Sequence, residues 1–272
     1  MHRYRNTANR VTSQRQSHAK RTSSATWVKC LANMFASQGL DAPRLLCAAG
    51  IDVASLENPE ARVEVDTISR LWELAVAWSG NPTLGMEREL PARYVDFDTV
   101  GYVMMASQTL KAGLTNLARY YAVISDAITL EFEPQGEHCW LVLGLIGNNR
   151  PLPRQRLEYS LLTVASLCQW ITRREVRAVA VEFPEPEPED TEPYLRAFGC
   201  PVRFGQPAIR LMLTQADLDM PLLSCNPLLF DMHQRVVEAR LLRLSSPSTA
   251  RRVTGEIVRR LHLGEPRRED IA

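Results

Sequence analysis

Residues 198–207 read FGCPVRFGQP and hold two glycines and two prolines around a short apolar segment. Glycine tolerates the left-handed conformations that tight turns require, and proline is confined to the ends or edges of strands. The stretch therefore predicts a short strand with a tight turn on each side. Because the turns explain these residue types fully, the stretch indicates a fold and needs no catalytic role.

Outward from this stretch, the spacing of apolar residues divides the chain into a helical part and a mixed part. Helical spacing predicts helices over residues 25–38, 42–49, 67–79 (with Asp66 as N-cap), 99–107, 109–125, 153–173, 191–198 and 227–244. Alternation and short apolar runs predict strands over residues 128–132, 139–145, 176–183, 202–204 and 209–213. This order predicts an α+β fold: N-terminal helices packed with an antiparallel or mixed sheet, followed by a C-terminal helical segment.

Charge is unevenly distributed over the 272 residues, whose net charge is +1. Residues 1–23 have a net charge of +6 and residues 235–272 one of +4, which leaves −9 for the residues between them. An acidic centre repels a polyanion, whereas basic ends attract one. We therefore divide the chain into a disordered basic tail (1–23), a central domain (24–244), a linker (245–248) and a basic helical segment (249–272).

Apolar runs and cysteine spacing argue against a membrane protein, an exported protein and a zinc or disulfide framework. No apolar run reaches the roughly 18 residues of a membrane span, and the first residues lack the apolar centre of a signal peptide. We therefore expect a cytoplasmic protein without membrane contact. The six cysteines are scattered without a C-x-x-C pair, so buried reduced thiols are expected instead of a zinc site or a disulfide framework.

Enzyme signatures are missing from the sequence. The motifs of dinucleotide-binding, phosphate-binding, hydrolase and zinc-protease sites do not occur, and the five histidines lie far apart. We expect no catalytic residue, no metal and no cofactor. The competing hypothesis of an unrecognised enzyme lacks a catalytic group with a partner.

Aromatic and amide side chains offer a candidate ligand site. A small-molecule pocket is usually apolar with a few convergent polar groups, and Trp140, Tyr159 and Gln169 could supply such groups. The alternative is that these are core residues that happen to be partly polar. Both interpretations stay open at this point.

Several pieces of the sequence together resemble the arabinose-binding-type N-terminal domain of AraC/XylS-family transcriptional regulators. The pieces are ARVEV at 61–65, LWELA at 71–75, Gly101-Tyr102, Ala118-Arg119-Tyr120 and the stretch 198–207, within a similarity that spans about residues 31–244. Residues 264–272 are similar to the lead-in to the family's DNA-binding domain. The resemblance implies a domain that binds a small effector and often forms dimers, followed by two helix-turn-helix units.

The resemblance also limits what this sequence itself does with DNA. Neither recognition helix is present, so specific base contacts cannot be assigned, and only nonspecific phosphate contacts are expected. The residues expected to make them are Arg259, Arg260, Arg267 and Arg268. A homodimer is implied, and helix 227–244 is a candidate interface, although core packing explains its apolar stripe equally well. The alternative function is a stand-alone small-molecule-binding module, or a dominant-negative partner without DNA binding.

Overall fold

The computed structural model describes residues 20–87 and 92–245. Within these ranges, the nine α-helices are Ala25–Ser37 (α1), Ala42–Ala49 (α2), Val65–Ser79 (α3), Asp98–Ala106 (α4), Leu110–Ile124 (α5), Arg154–Thr172 (α6), Glu192–Phe198 (α7), Gln215–Leu218 (α8) and Pro227–Ser245 (α9). The strands are Thr22–Ser24 (β1), Arg62–Glu64 (β2), Ile128–Gln135 (β3), His138–Leu145 (β4), Ala180–Glu182 (β5), Val202–Arg203 (β6) and Ile209–Thr214 (β7). The α+β class is therefore confirmed.

The larger sheet has five strands in the order β3-β4-β7-β5-β6. All neighbours are antiparallel except β5 and β6, which pair in parallel with Val181 opposite Val202. The sheet is therefore mixed, one of the two expected forms. The expected strand over 176–183 is shorter in the structure, where only Ala180–Glu182 form β5.

The stretch 198–207 makes the turns that its composition predicts. Gly199 ends α7 with a φ of 64°, and Gly205 follows β6 with a φ of 66°. The Gly205 N–H donates to the carbonyl oxygen of Glu185 at 2.9 Å. These turns place the short edge strand beside β5 and leave α7 in contact with α6.

A cluster of aromatic rings forms the centre of the helical core. Trp72 lies 5.0 Å from Phe35 and 5.3 Å from Tyr159 between ring centroids. Trp27 lies 5.4 Å from Phe97. All five side chains are buried, so they hold α1, α3 and α6 and the turn at Phe97 in one packed unit.

The first strand begins inside the segment that the sequence assigns to the tail. Thr22–Ser24 pair with Arg62–Glu64 as a two-stranded antiparallel sheet. The Arg62 guanidinium donates to the Thr22 hydroxyl (2.7 Å) and to the Val123 carbonyl (2.9 Å). Thr22 and Ser23 are therefore part of the folded body, because contacts with residues 40 or more positions away hold them there.

The expected N-cap of the third helix is wrong. Glu64 occupies that position, and the helix begins at Val65. The carboxylate of Asp66 instead accepts the backbone N–H groups of Asn148 (3.1 Å) and Asn149 (3.0 Å). Asp66 therefore anchors the loop that follows β4, a role that its position in the sequence does not show.

Several expectations fall outside the described residues. These are the tail at 1–19, linker residues 246–248, the segment 249–272 and its arginines Arg259, Arg260, Arg267 and Arg268. The last described helix, α9, extends to Ser245 and so includes the first residue of the expected linker. Among the described helices, none is both long enough and apolar enough to cross a bilayer.

Candidate ligand-binding site

A cleft of about 1150 Å³ lies between α1, α6, α7 and the segment that enters α4. Its polar lining consists of Cys30, Asn33, Ser37, Arg93, Tyr94, Asp96, Ser166, Gln169 and Arg173. Its larger apolar lining residues are Met34, Met105, Leu162, Trp170, Val176 and Phe198. Apolar walls that carry a few polar groups are the usual composition of a small-molecule site.

Helix α6 separates the cleft from the core. Residues at helical spacing on one side of α6, such as Leu162, Ser166 and Gln169, line the cleft. Val164 and Leu167, on the other side, are fully buried in the core. Because the same helix forms the cleft wall and packs the core, the positions of its cleft-lining side chains are fixed by packing.

Another wall of the cleft is a single 3₁₀ turn, Tyr94–Phe97, which we call the wall turn. The Asp96 carboxylate accepts the backbone N–H of Arg93 at 2.7 Å and closes the turn. Phe97 is fully buried beneath it. The wall turn therefore presents Tyr94 and Asp96 to the cleft, and Arg93 directly before it, from a base that is anchored in the aromatic core.

The floor of the cleft is polar but uncharged. Burial and, to a smaller extent, the nearby Asp96 charge raise the pKa of the Cys30 thiol to about 12, against opposing effects of Tyr159 and Arg93. Burial and the neighbouring Cys30 also raise the pKa of Tyr159 well above its ordinary value. The thiol and the phenol are therefore neutral at pH 7 and act as hydrogen-bonding groups.

Fixed charges lie at the edge of this floor. Arg93 and Arg173 are exposed cations of the lining, and Asp96 is a half-buried anion. Within residues 20–87 and 92–245, neither arginine has a carboxylate within ion-pair distance. Both guanidinium groups are therefore available to an anionic group of a ligand.

Of the three sequence-predicted residues, Gln169 lines this cleft and Tyr159 contacts one of its lining residues. Gln169 lines it, and its amide nitrogen donates to the Val176 carbonyl at 3.2 Å. Tyr159 lies directly beneath the floor, 2% exposed, and is hydrogen-bonded with Cys30. Whether Gln169 or Tyr159 takes part in binding stays a prediction.

Trp140 lies elsewhere, on β4. Its indole N–H donates to Gln135 at 2.8 Å, and the Arg210 guanidinium carbon lies 4.3 Å from the ring centroid. Its neighbours Cys139 and Leu141 point to the opposite face of the sheet and belong to the core. Trp140 is therefore not among the cleft residues of the described chain, because the strand period turns it to the outer face.

Cys30, Asn33 and Ser37 were not among the predicted site residues. These residues recur at helical spacing beside the buried face of α1, as a stripe of small polar groups. This helical spacing of small polar residues could have indicated a ligand site from the sequence. Arg93 and Asp96 carried no comparable signal, because a turn and not a regular helix places them in the wall.

A buried polar cluster lies behind the cleft, where α6 meets α7. The Glu158 carboxylate, fully buried, accepts hydrogen bonds from the Tyr194 hydroxyl and from Arg154 Nε, the latter at 2.8 Å. Burial raises the pKa of Glu158, and its two donors only partly oppose that effect. One turn after Tyr194, Ala197 and Phe198 line the cleft, so this cluster supports the α7 wall.

One protein family matches most of the chain. Its model, described as the N-terminal arabinose-binding domain of AraC transcription regulators, matches residues 39–222. The chain belongs to this family. The AraC-type domain includes α2 to α8, and it contributes every wall of the cleft except α1.

Two further proteins are similar to this AraC-type chain. The ornithine utilization regulator of Pseudomonas aeruginosa is 24% identical over 221 residues, which is 80% of this chain and 64% of that protein. The chain thus spans less than two thirds of the length of this curated relative. The crystal structure of the transcriptional regulator CdpR from Pseudomonas aeruginosa is 18% identical with a TM-score of 0.49, over 84% of this chain and 79% of CdpR.

Proposed function

We propose that this chain is the effector-sensing and dimerisation portion of an AraC-type transcriptional regulator. In this proposal a small molecule binds the cleft, and binding controls DNA recognition by a C-terminal helix-turn-helix domain. The observation that carries the proposal is the cleft itself, which has polar groups on apolar walls and is formed, apart from α1, by the AraC-type domain.

The charges of the cleft suggest the chemistry of the effector. Arg93 and Arg173 suit a carboxylate, Asp96 suits an ammonium group, and Met34, Met105 and Leu162 suit an aliphatic chain. A small amphipathic acid, such as an amino acid, combines these groups. Ornithine, named in the function of the curated relative, is one such molecule and belongs in any test panel.

The proposal assigns no chemical step to the chain. The curated relative is a regulator, and the described residues hold no group of three His, Cys, Asp or Glu side chains that could bind a metal ion. Arg259, Arg260, Arg267 and Arg268 would add nonspecific phosphate contacts to those of a helix-turn-helix domain. Such a regulator would act in the cytoplasm, together with its DNA.

A thermal-shift screen tests the ligand-binding claim. The panel contains L-ornithine, other amino acids, sugars, fatty acids and aromatic acids. A ligand at about 100 times its Kd stabilises the native state by about 2.7 kcal/mol, which corresponds to a Tm increase of roughly 5–10 °C. We expect such an increase from at least one acid of the panel. If no compound of the panel raises the Tm, the effector-sensing proposal is contradicted.

The dimer would form through the exposed face of α9. Leu229, Met232, Val236 and Ala239 follow one another at intervals of three, four and three residues and are exposed. Val237, on the opposite side, is fully buried against the body. A helix with one packed face and a second apolar face at coiled-coil spacing fits a second copy of the same helix.

Mass measurement in solution tests the dimer. We expect light scattering to give about twice 30.7 kDa for the wild type and 30.7 kDa for Val236→Glu, because the new charge would be buried in the interface. Leu223→Glu is the matched control, since Leu223 is 75% exposed and precedes α9. A wild-type mass of 30.7 kDa at every concentration would remove the dimer from the proposal.

A further inference from the structure

We propose that the wall turn, Tyr94–Phe97, transmits occupancy of the cleft to α9 through two separate contacts. One is the ion pair between Asp98 and Arg240, and the other is the ring series Tyr94, Tyr102 and His233. The inference rests on the proposed function, because it assumes that the cleft takes a ligand. It adds a route by which that ligand changes the last helix of the domain.

The first step of the route is the wall turn itself. Arg93, Tyr94 and Asp96 all line the cleft, so a ligand that fills the cleft contacts this segment. The segment is one 3₁₀ turn of four residues, and such a turn has few hydrogen bonds of its own. Phe97 anchors its end in the core, but its start, with Arg93 exposed and Tyr94 half-buried, can move more easily than α1 or α6.

The second step is the ion pair at the end of the wall turn. Asp98 follows Phe97 directly and has a φ of 53°, a conformation that is strained for a residue other than glycine. Its carboxylate accepts a hydrogen bond from Arg240 on α9. Burial opposes ionisation of Asp98, but the hydrogen bond and charge of Arg240, together with two hydrogen bonds from Thr99, outweigh it, so the pKa of Asp98 is lowered.

The third step is the ring series, which runs beside the ion pair. The Tyr94 and Tyr102 rings meet edge to face at 5.8 Å, and Tyr102 stacks on His233 of α9 at 5.2 Å. Gly101 brings α4 so close to the wall turn that a Cβ atom there would lie 1.8 Å from the Tyr94 carbonyl oxygen. The wall turn and α4 therefore move together, and α9 packs on α4.

The last step is the attachment of α9, which combines apolar and polar contacts. Val237 is its only fully buried apolar residue within the described chain, and Phe230, Leu241 and Leu244 pack against the core while partly exposed. The remaining contacts include Glu238 with the Tyr120 hydroxyl (3.0 Å) and Gln234 with the same hydroxyl (3.1 Å). Partly exposed polar contacts contribute little to stability, so a small displacement of the wall turn can shift the docking equilibrium of α9.

Hydrogen exchange of the whole chain tests the route without any effector. Ser166→Trp fills the cleft from α6 and displaces the wall turn, so we expect the amides of α9 to exchange faster by about threefold or more. Arg70→Trp is the matched control, because Arg70 is exposed on α3 and does not line the cleft. Unchanged or slower exchange in α9 of folded Ser166→Trp overturns the proposal.

A second variant tests the same coupling from the other end, since energetic coupling between two sites is reciprocal. We expect Arg240→Ala to speed exchange of residues 92–98 by about threefold. Arg243→Ala, which among the described residues loses a 3.9 Å contact with Glu60, should leave this exchange unchanged. Equal exchange of residues 92–98 in Arg240→Ala and Arg243→Ala overturns the proposal, even if Ser166→Trp does not fold. Because neither arm uses a ligand, a failed thermal-shift screen remains a separate result.

Discussion

Gly101 shows how one residue can determine the position of the cleft wall. An added Cβ would lie 1.8 Å from the Tyr94 carbonyl oxygen and 2.7 Å from its carbon, both of them backbone atoms. We expect Gly101→Ala to lower the free energy of unfolding by about 1–3 kcal/mol, as overpacking does. Urea unfolding measures this change.

Gly113→Ala is the matched control for that measurement. Gly113 lies in α5, where an added Cβ would meet its nearest neighbour, the Met104 carbonyl oxygen, at 3.2 Å. The gain in helix propensity of about 1 kcal/mol offsets this mild contact, so we expect little net change. Equal losses in the two variants would contradict a special role for Gly101.

The raised pKa of Glu158 predicts how the stability of the protein depends on pH. Because burial raises its pKa in the folded state, the folded protein binds this proton more tightly than the unfolded chain does. The contribution of Glu158 to stability then decreases as the pH rises from about 4.3, the ordinary glutamate pKa, through the pKa of Glu158 in the folded state. Above that pKa the contribution is constant.

Glu158→Gln removes that titration but keeps an oxygen that can accept from Tyr194 and Arg154. We expect the stability of the variant relative to wild type to increase over the same pH window, measured by urea unfolding at a series of pH values. Glu175→Gln is the control, because Glu175 is exposed and its ion pair among the described residues is a surface contact with Arg177. Parallel curves for wild type and Glu158→Gln would contradict the raised pKa.

At the scale of elements, Arg62 holds the small sheet to the body. Its guanidinium contacts the Thr22 hydroxyl and carbonyl and the Val123 and Ala122 carbonyls at 2.7–3.2 Å. Lysine cannot reproduce this planar set of donors, so we expect Arg62→Lys to cost about 1–3 kcal/mol and to speed exchange of β1. Arg70→Lys, at an exposed site, should change neither the free energy of unfolding nor the exchange rate of the β1 amides.

The predicted helices agree with the structure because their signals are local. Apolar spacing and stop residues such as Gly50 and Gly80 place helix ends within a few residues of the observed ones. The pairing of β1 with β2 was missed, since two three-residue strands 40 positions apart leave no periodic signal. The same reason explains Asp66, whose partners Asn148 and Asn149 are distant in the sequence.

The candidate site was predictable only where one helix carries it. Gln169 and Tyr159 lie on α6, which the apolar spacing predicts, and both lie at or beneath the cleft. Trp140 was predicted because its indole could supply a polar group, but the strand period places it on the outer face of the sheet, away from the cleft. Arg93 and Asp96 depend on how a turn packs against α1 and α6, a tertiary relation that spacing does not contain.

At the scale of the molecule, the cleft and α9 lie on two sides of the wall turn and α4. The cleft lies among α1, α6 and α7, whereas α9 packs on α4 and α5 and presents its exposed apolar stripe outward. Ligand binding and dimerisation would therefore both involve α9. This arrangement links the proposed effector site to the proposed interface through described residues alone.

Calorimetric titration tests the central claim, ligand binding in the cleft, most directly. The compound with the largest thermal shift is titrated into wild type, Arg173→Ala and Arg174→Ala, which differ in that Arg173 lines the cleft and its exposed neighbour Arg174 does not. We predict that Arg173→Ala weakens binding by about tenfold or more, as loss of a charge-assisted hydrogen bond does, and that Arg174→Ala leaves the Kd unchanged. Equal affinity in all three proteins would contradict binding in this cleft.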